Sequence, residues 1–84
     1  MRSHDPEKTR AEILDVARRM FAEKGLAGAR IDEIAALTRT SKRMIYYYFG
    51  DKDGLYRAVL SDVLATLMDA QSRARERLQA PLEP

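Results

Sequence analysis

The sequence predicts an all-α fold of four helices, and two patterns support this prediction. Apolar residues recur every three or four positions along most of the 84-residue chain, which is the spacing of one face of a helix. Glycine, or a side chain that can cap a helix, stands between the successive apolar runs. A chain of this length forms a single small domain with a modest core.

The first helix is predicted to begin at Pro6 and to end at Gly25. Asp5 can accept hydrogen bonds from the first free N–H groups, proline suits the first helical position, and Glu7 favours the positive end of the helix dipole. Glycine at the end can take the left-handed conformation that terminates many helices. The apolar face of this helix consists of Ile13, Leu14, Ala17, Met20 and Phe21.

Two short helices are predicted next, one after a link at residues 26–30 and the other over residues 42–48. The second helix begins at Ile31 and ends near a turn at residues 38–40, and Ser41 is the expected N-cap of the third. Two short helices joined by such a turn form a helix-turn-helix. The predicted architecture is therefore a three-helix bundle with a helix-turn-helix, followed by a long connecting fourth helix.

The fourth helix is predicted to begin at Lys52, with Asp51 as its cap, and to run to about residue 79, because no breaker appears before Pro81. At roughly 40 Å it is longer than a three-helix core can cover, so its apolar stripe is expected to need a partner domain or a second copy. We interpret residues 1–8 as an arm and the start of helix 1, residues 9–50 as the helix-turn-helix domain, and residues 51–84 as the start of a helix leading to an absent C-terminal domain. The stripe contains Leu55, Val59, Leu60, Val63, Leu64, Leu67 and Met68.

Composition argues against several classes of protein. The chain has one histidine and no cysteine, and it shows neither a glycine-rich phosphate loop nor a metal-spaced cluster, so we expect no enzyme activity, cofactor or metal. No apolar run resembles a signal peptide or approaches the roughly 20 residues of a membrane span, which predicts a soluble cytoplasmic protein. The net charge is only +2, but residues 39–57 hold five cations against two acids, and such a local basic patch favours nucleic acid.

The third helix lies within the segment SKRMIYYYFGDK, residues 41–52, which contains three consecutive tyrosines. They cannot share one buried face, because each residue of a helix turns by about 100°. If Ile45 and Phe49 face the core, Tyr47 lies opposite them. Arg43 and Met44 also point outward, and this face is flanked by Lys42, Tyr46 and Tyr48, although Tyr46 and Tyr48 are also suited to partial core packing.

An outward face of this kind suits the major groove of DNA. Arginine can bind guanine O6 and N7, and apolar groups can contact the thymine methyl group. Tyrosine hydroxyls can donate to phosphates, and the helix N-termini at Ser41 and Lys52 also favour phosphate. The basic patch and the tyrosines therefore share one explanation.

The positions that form one ordered pattern between residues 10 and 60 are Arg10, Ile13, Leu14, Ala17, residues 21–25, Ile34, Ala35, Ser41, Lys42, residues 45–49, Lys52 and Leu55. With this pattern, residues 10–60 resemble the DNA-binding region of the TetR family of bacterial transcription regulators. The resemblance implies homodimers whose first three helices bind operator DNA, and whose larger C-terminal domain binds a small-molecule effector and dimerises. It also implies DNA contacts from Arg30, Lys42, Arg43, Met44, Tyr46, Tyr47 and Tyr48, with Lys52 as a phosphate clamp.

Several positions depart from the family pattern. Arg39 stands where a turn glycine is common, and Arg30 replaces the usual hydroxyl cap of the second helix. Arg43 and Met44 replace small residues, and Tyr48 replaces a common histidine. A rival interpretation is a protein-interaction module that docks a partner on the stripe of the fourth helix. Salt distinguishes the two, because only binding to phosphates weakens steeply as salt increases.

Overall fold

The computed structural model describes residues 5–79, which form four helices and, within that range, no strand. The predicted all-α fold, with a helix-turn-helix and a long fourth helix, is confirmed. Residues 1–4 of the predicted arm and residues 80–84 lie outside the described residues. The helices are α1 (Pro6–Gly28), α2 (Ile31–Leu37), α3 (Lys42–Phe49) and α4 (Lys52–Gln79).

The core is formed by one face of each helix. Helix α1 packs against α2 and α4, and α3 packs against the same two helices. Ile13, Ile34, Ile45 and Leu55, one from each helix, are fully buried. Ile45 is the only residue of α3 in the buried class, and Lys42, Arg43, Tyr46 and Tyr47 are exposed.

Helix α1 contains a break at Gly25, where the sequence predicted its end. Gly25 has φ 74° and ψ 174°, a combination that essentially only glycine adopts. The chain then makes another helical turn to Gly28, and the N–H of Ala29 donates to the Gly25 carbonyl at 3.1 Å. The link between α1 and α2 therefore consists of residues 29–30 and not of the predicted residues 26–30, because the chain makes a further helical turn after Gly25.

The turn between α2 and α3 is held by two threonines. The Thr38 hydroxyl donates to the Ile34 carbonyl at 2.7 Å, and its oxygen lies 2.8 Å from the hydroxyl oxygen of Thr40. The backbone N–H of Thr40 donates to the Ala35 carbonyl at 2.9 Å. Between the threonines, Arg39 has φ 57°, the left-handed conformation that a glycine accepts without a Cβ penalty.

Replacing Arg39 with glycine is expected to raise the free energy of unfolding by about 0.5–1 kcal/mol, because relief of left-handed strain exceeds the extra chain entropy of glycine. Urea denaturation followed by circular dichroism measures this change. Arg39→Ala is the matched control, since it removes the same charge but keeps the Cβ, and it should give no gain. Equal stabilisation by alanine and glycine would show that the arginine side chain, rather than the backbone, causes the effect.

Among the described residues, helix α4 packs into the core through its first turns. The N–H of Gly54 donates to Oδ1 of Asp51 at 2.6 Å, as expected for a cap. Leu55 and Val59 are buried and Val63 is half-buried. The large apolar side chains farther along the helix are exposed, so the core leaves much of the predicted stripe uncovered, and no helix within residues 5–79 combines the length and apolarity needed to cross a membrane. These exposed residues are Leu60, Leu64, Leu67, Met68 and Leu78.

Candidate nucleic-acid interface

The beginning of α3 is fixed by the predicted serine cap. The Ser41 hydroxyl oxygen accepts a hydrogen bond from the backbone N–H of Met44 at 3.0 Å, and Ser41 itself has extended backbone angles. A hydroxyl that accepts from the helix still has its own O–H to donate. Ser41 can therefore hold the N-terminus of α3 and donate to an anion at the same time.

The three tyrosines occupy different environments, as the helical periodicity predicted. Tyr47 is 81% exposed, Tyr46 is 38% exposed, and Tyr48 is half-buried. The rings of Tyr47 and Tyr48 lie 5.5 Å apart in an edge-to-face arrangement, and Tyr48 lies 6.1 Å from the ring of Phe49. Tyr47 thus extends into solvent from a row of rings that reaches back to the core.

Arg43 and Met44 were also predicted to point outward, and the structure places them in different environments. Arg43 is exposed, and it pairs with no carboxylate among residues 5–79. Met44 is half-buried, whereas the helical wheel predicted that it points away from the core. The wheel considers angles about the axis of α3 alone and does not include the elements packed around that axis.

An acidic residue joins the starts of α2 and α3. The Nζ of Lys42 lies 3.2 Å from Oδ1 of Asp32, and Nη2 of Arg30 lies 3.7 Å from Oδ2 of the same carboxylate. Arg30 occupies the N-cap position of α2 without a side-chain capping hydrogen bond. Two cations predicted to contact DNA, which are separated by 12 positions in the sequence, therefore meet at one carboxylate.

Asp32 lies in the first turn of α2, where the local pattern explains it only as a carboxylate near the positive end of the helix dipole. The pattern alone does not give the tertiary approach of the two helix starts, so it could not predict the bridge to Lys42. The sequence did contain one indication, because Asp32 lies between Arg30 and Lys42, two cations that were predicted to bind DNA.

The beginning of α4 supplies a cation at the opposite end of α3. Lys52 is half-buried in the first turn of α4. The intervening Gly50 has φ 88°, and its N–H donates to the Tyr46 carbonyl at 2.7 Å. Helix α3 has eight residues, so Lys42 and Lys52 lie at the two ends of an element about 12 Å long.

The sequence matches a known protein family over the helices described above. Residues 13–59 match the model of a family described as bacterial regulatory proteins, tetR family. The chain belongs to the TetR family. The segment that matches the TetR-family model includes all of α2 and α3 and the first turns of α4.

Among its TetR-family relatives is the HTH-type transcriptional repressor NicS of Pseudomonas putida, which is 37% identical over 81 residues, covering 96% of this chain and 38% of the relative. The HTH-type transcriptional repressor SCO4008 of Streptomyces coelicolor is 46% identical over 67 residues, covering 80% of this chain and 35% of the relative. The HTH-type transcriptional regulator BetI of Paraburkholderia phytofirmans is 38% identical over 74 residues, covering 88% of this chain and 38% of the relative. This TetR-family chain thus spans less than two fifths of the length of each of these relatives.

Proposed function

We propose that this chain binds duplex DNA in a sequence-specific manner, with α3 in the major groove. The observation that carries the proposal is the exposed face of α3, where Tyr47 and Arg43 lie opposite the buried Ile45. Cations stand near both ends of this helix, Lys42 at its first position and Lys52 just after its last, and the B-DNA major groove is wide enough to admit an α-helix. The proposed DNA-binding residues are Arg30, Ser41, Lys42, Arg43, Met44, Tyr46, Tyr47, Tyr48 and Lys52.

The proposed contacts divide into two groups by chemistry. Arg43 carries a planar fork of donors that matches guanine O6 and N7, and Met44 and Tyr47 offer apolar surface to the thymine methyl group. The remaining residues have hydroxyl or cationic groups that bind phosphate and set the position of α3 along the duplex. Base preference therefore comes from residues 43, 44 and 47, and most of the salt-dependent affinity comes from the others.

The same proposal extends to regulation. The exposed apolar stripe of α4 (Leu60, Leu64, Leu67 and Met68) is a surface for a C-terminal domain that forms a homodimer and binds a small-molecule effector. Effector binding would move α4, change the separation of the two α3 helices, and release the operator, as in a cytoplasmic repressor without enzyme activity. Half-sites spaced by about 34 Å, one turn of DNA, or by a multiple of this distance fit such a dimer.

The proposal is tested by the salt dependence of DNA binding. A duplex selected from a random pool is titrated with the chain in a fluorescence anisotropy assay at several salt concentrations. We expect log K to fall linearly with log salt, with a slope of about −0.9 for each phosphate neutralised. Lys42→Met keeps the alkyl chain but removes the charge, and it should make the slope shallower by about one on every duplex.

A flat salt dependence would contradict the proposal. It would favour the second candidate function, in which the exposed stripe of α4 docks an apolar partner helix, because burial of apolar surface is nearly insensitive to moderate salt. The observation behind that alternative is the exposure of Leu60, Leu64, Leu67 and Met68.

A further inference from the structure

Asp32 places a negative charge inside the proposed phosphate-binding surface. Each of its carboxylate oxygens faces a different cation, Lys42 at 3.2 Å and Arg30 at 3.7 Å. Phosphate oxygens bind the same donors of lysine and arginine as carboxylate oxygens do. A phosphate that approaches either cation must therefore compete with the Asp32 carboxylate, which is already paired with that cation.

The two ion pairs are poorly placed to stabilise the fold. The side chains of Arg30, Asp32 and Lys42 are all more than half exposed, and exposed ion pairs contribute little to stability because water and salt screen them. Asp32 also repels any phosphate that binds beside it. The charge of Asp32 should therefore affect DNA affinity more than it affects folding.

We infer that Asp32 competes with DNA phosphate for Lys42 and Arg30. This competition sets how strongly phosphate binds at the starts of α2 and α3. This role rests on the DNA-binding function proposed above. Neither cation needs to read a base for the competition to act, so Asp32 lowers affinity for operator and unrelated duplexes by the same factor.

Asp32→Asn tests the inference because it removes the charge and keeps the shape of the side chain. At about 0.1 M salt we expect the variant to bind both a selected operator and an unrelated duplex roughly three- to tenfold more tightly, from the loss of one repulsive charge near phosphate and the release of two cations. Fluorescence anisotropy measures both affinities, and circular dichroism verifies the helix content.

Asp15→Asn is a matched control within α1. Asp15 also accepts from two arginines, Arg18 and Arg19, both at 2.9 Å, so the substitution changes net charge and breaks two ion pairs in the same way. We expect less than about a twofold change in affinity. An equal gain from Asp15→Asn would overturn the inference by showing that net charge alone is responsible.

A double variant identifies the group that Asp32 restrains. In the Lys42→Met background, Asp32→Asn should gain measurably less affinity than in the unaltered chain, because one of the two cations that it releases is absent, and an undiminished gain would show that Asp32 does not restrain Lys42. If Asp32→Asn leaves binding unchanged or weakens it, the competitor role is wrong, and weakening would mean that Asp32 positions the cations for phosphate. If the unaltered chain binds no duplex at all, the proposed function itself fails.

Discussion

Tyr47→Ala is expected to weaken operator binding by roughly 10- to 100-fold while changing the free energy of unfolding by less than about 1 kcal/mol. The side chain is 81% exposed, so its removal takes little apolar surface out of the core. Its contact with Tyr48 is a single edge-to-face pair, which limits the loss of stability. The proposed groove contact would be lost completely, and anisotropy titration with a selected operator measures this effect.

Tyr47→Phe separates the ring from the hydroxyl in the same assay. If the ring contacts a thymine methyl group, phenylalanine should keep most of the affinity, and the alanine variant should lose discrimination at that base pair. If only the hydroxyl acts, the two variants should weaken binding equally. Unchanged affinity in the alanine variant, with an unchanged melting temperature, would contradict the placement of this face of α3 in the groove.

Ile45→Ala is expected to lower the free energy of unfolding by about 2–5 kcal/mol. Ile45 is fully buried and is the only residue of α3 in the buried class, so the cavity forms directly beneath the proposed recognition surface. A small domain has only about 5–15 kcal/mol of stability in total. The variant should therefore lose DNA binding through unfolding or displacement of α3, although the side chain touches no DNA in the proposed complex.

Chemical denaturation and operator titration should be carried out together on this variant. Ile45→Val removes one methylene from the same site and should cost only about 0.5–1.5 kcal/mol, with operator affinity nearly unchanged. A similar loss of affinity in both variants would contradict the interpretation of Ile45 as an anchor, because the effect would then not follow the size of the cavity.

Much of the fold could be predicted because its determinants are local. Asp5, Ser41 and Asp51 accept hydrogen bonds from the helix starts, and these caps depend only on residues two or three positions away. The exposure of Tyr47 follows from the 100° step of a helix once Ile45 is assigned to the core.

The remaining features depend on contacts between segments that are distant in the sequence. The bridge from Asp32 to Lys42 exists because the starts of α2 and α3 approach each other, and periodicity within one helix contains no information about that approach. The half-burial of Met44 likewise depends on the surroundings of α3. At Gly25, the sequence indicated an unusual backbone conformation, but it could not distinguish the ψ that ends a helix from the ψ that leads into a further turn.

Anchoring at one end makes α4 a mechanical lever. Leu55 and Val59 hold its first turns in the core, and neither glycine nor proline interrupts the helix between residues 55 and 79. Met68 lies about 24 Å along the axis from Lys52, so a lateral displacement of about 3 Å at Met68 corresponds to a tilt of only about 7° at the anchored end. The first turn of α4 follows directly on the end of α3 and contains Lys52. Such a tilt would therefore change the position of Lys52, which is proposed to bind a DNA phosphate.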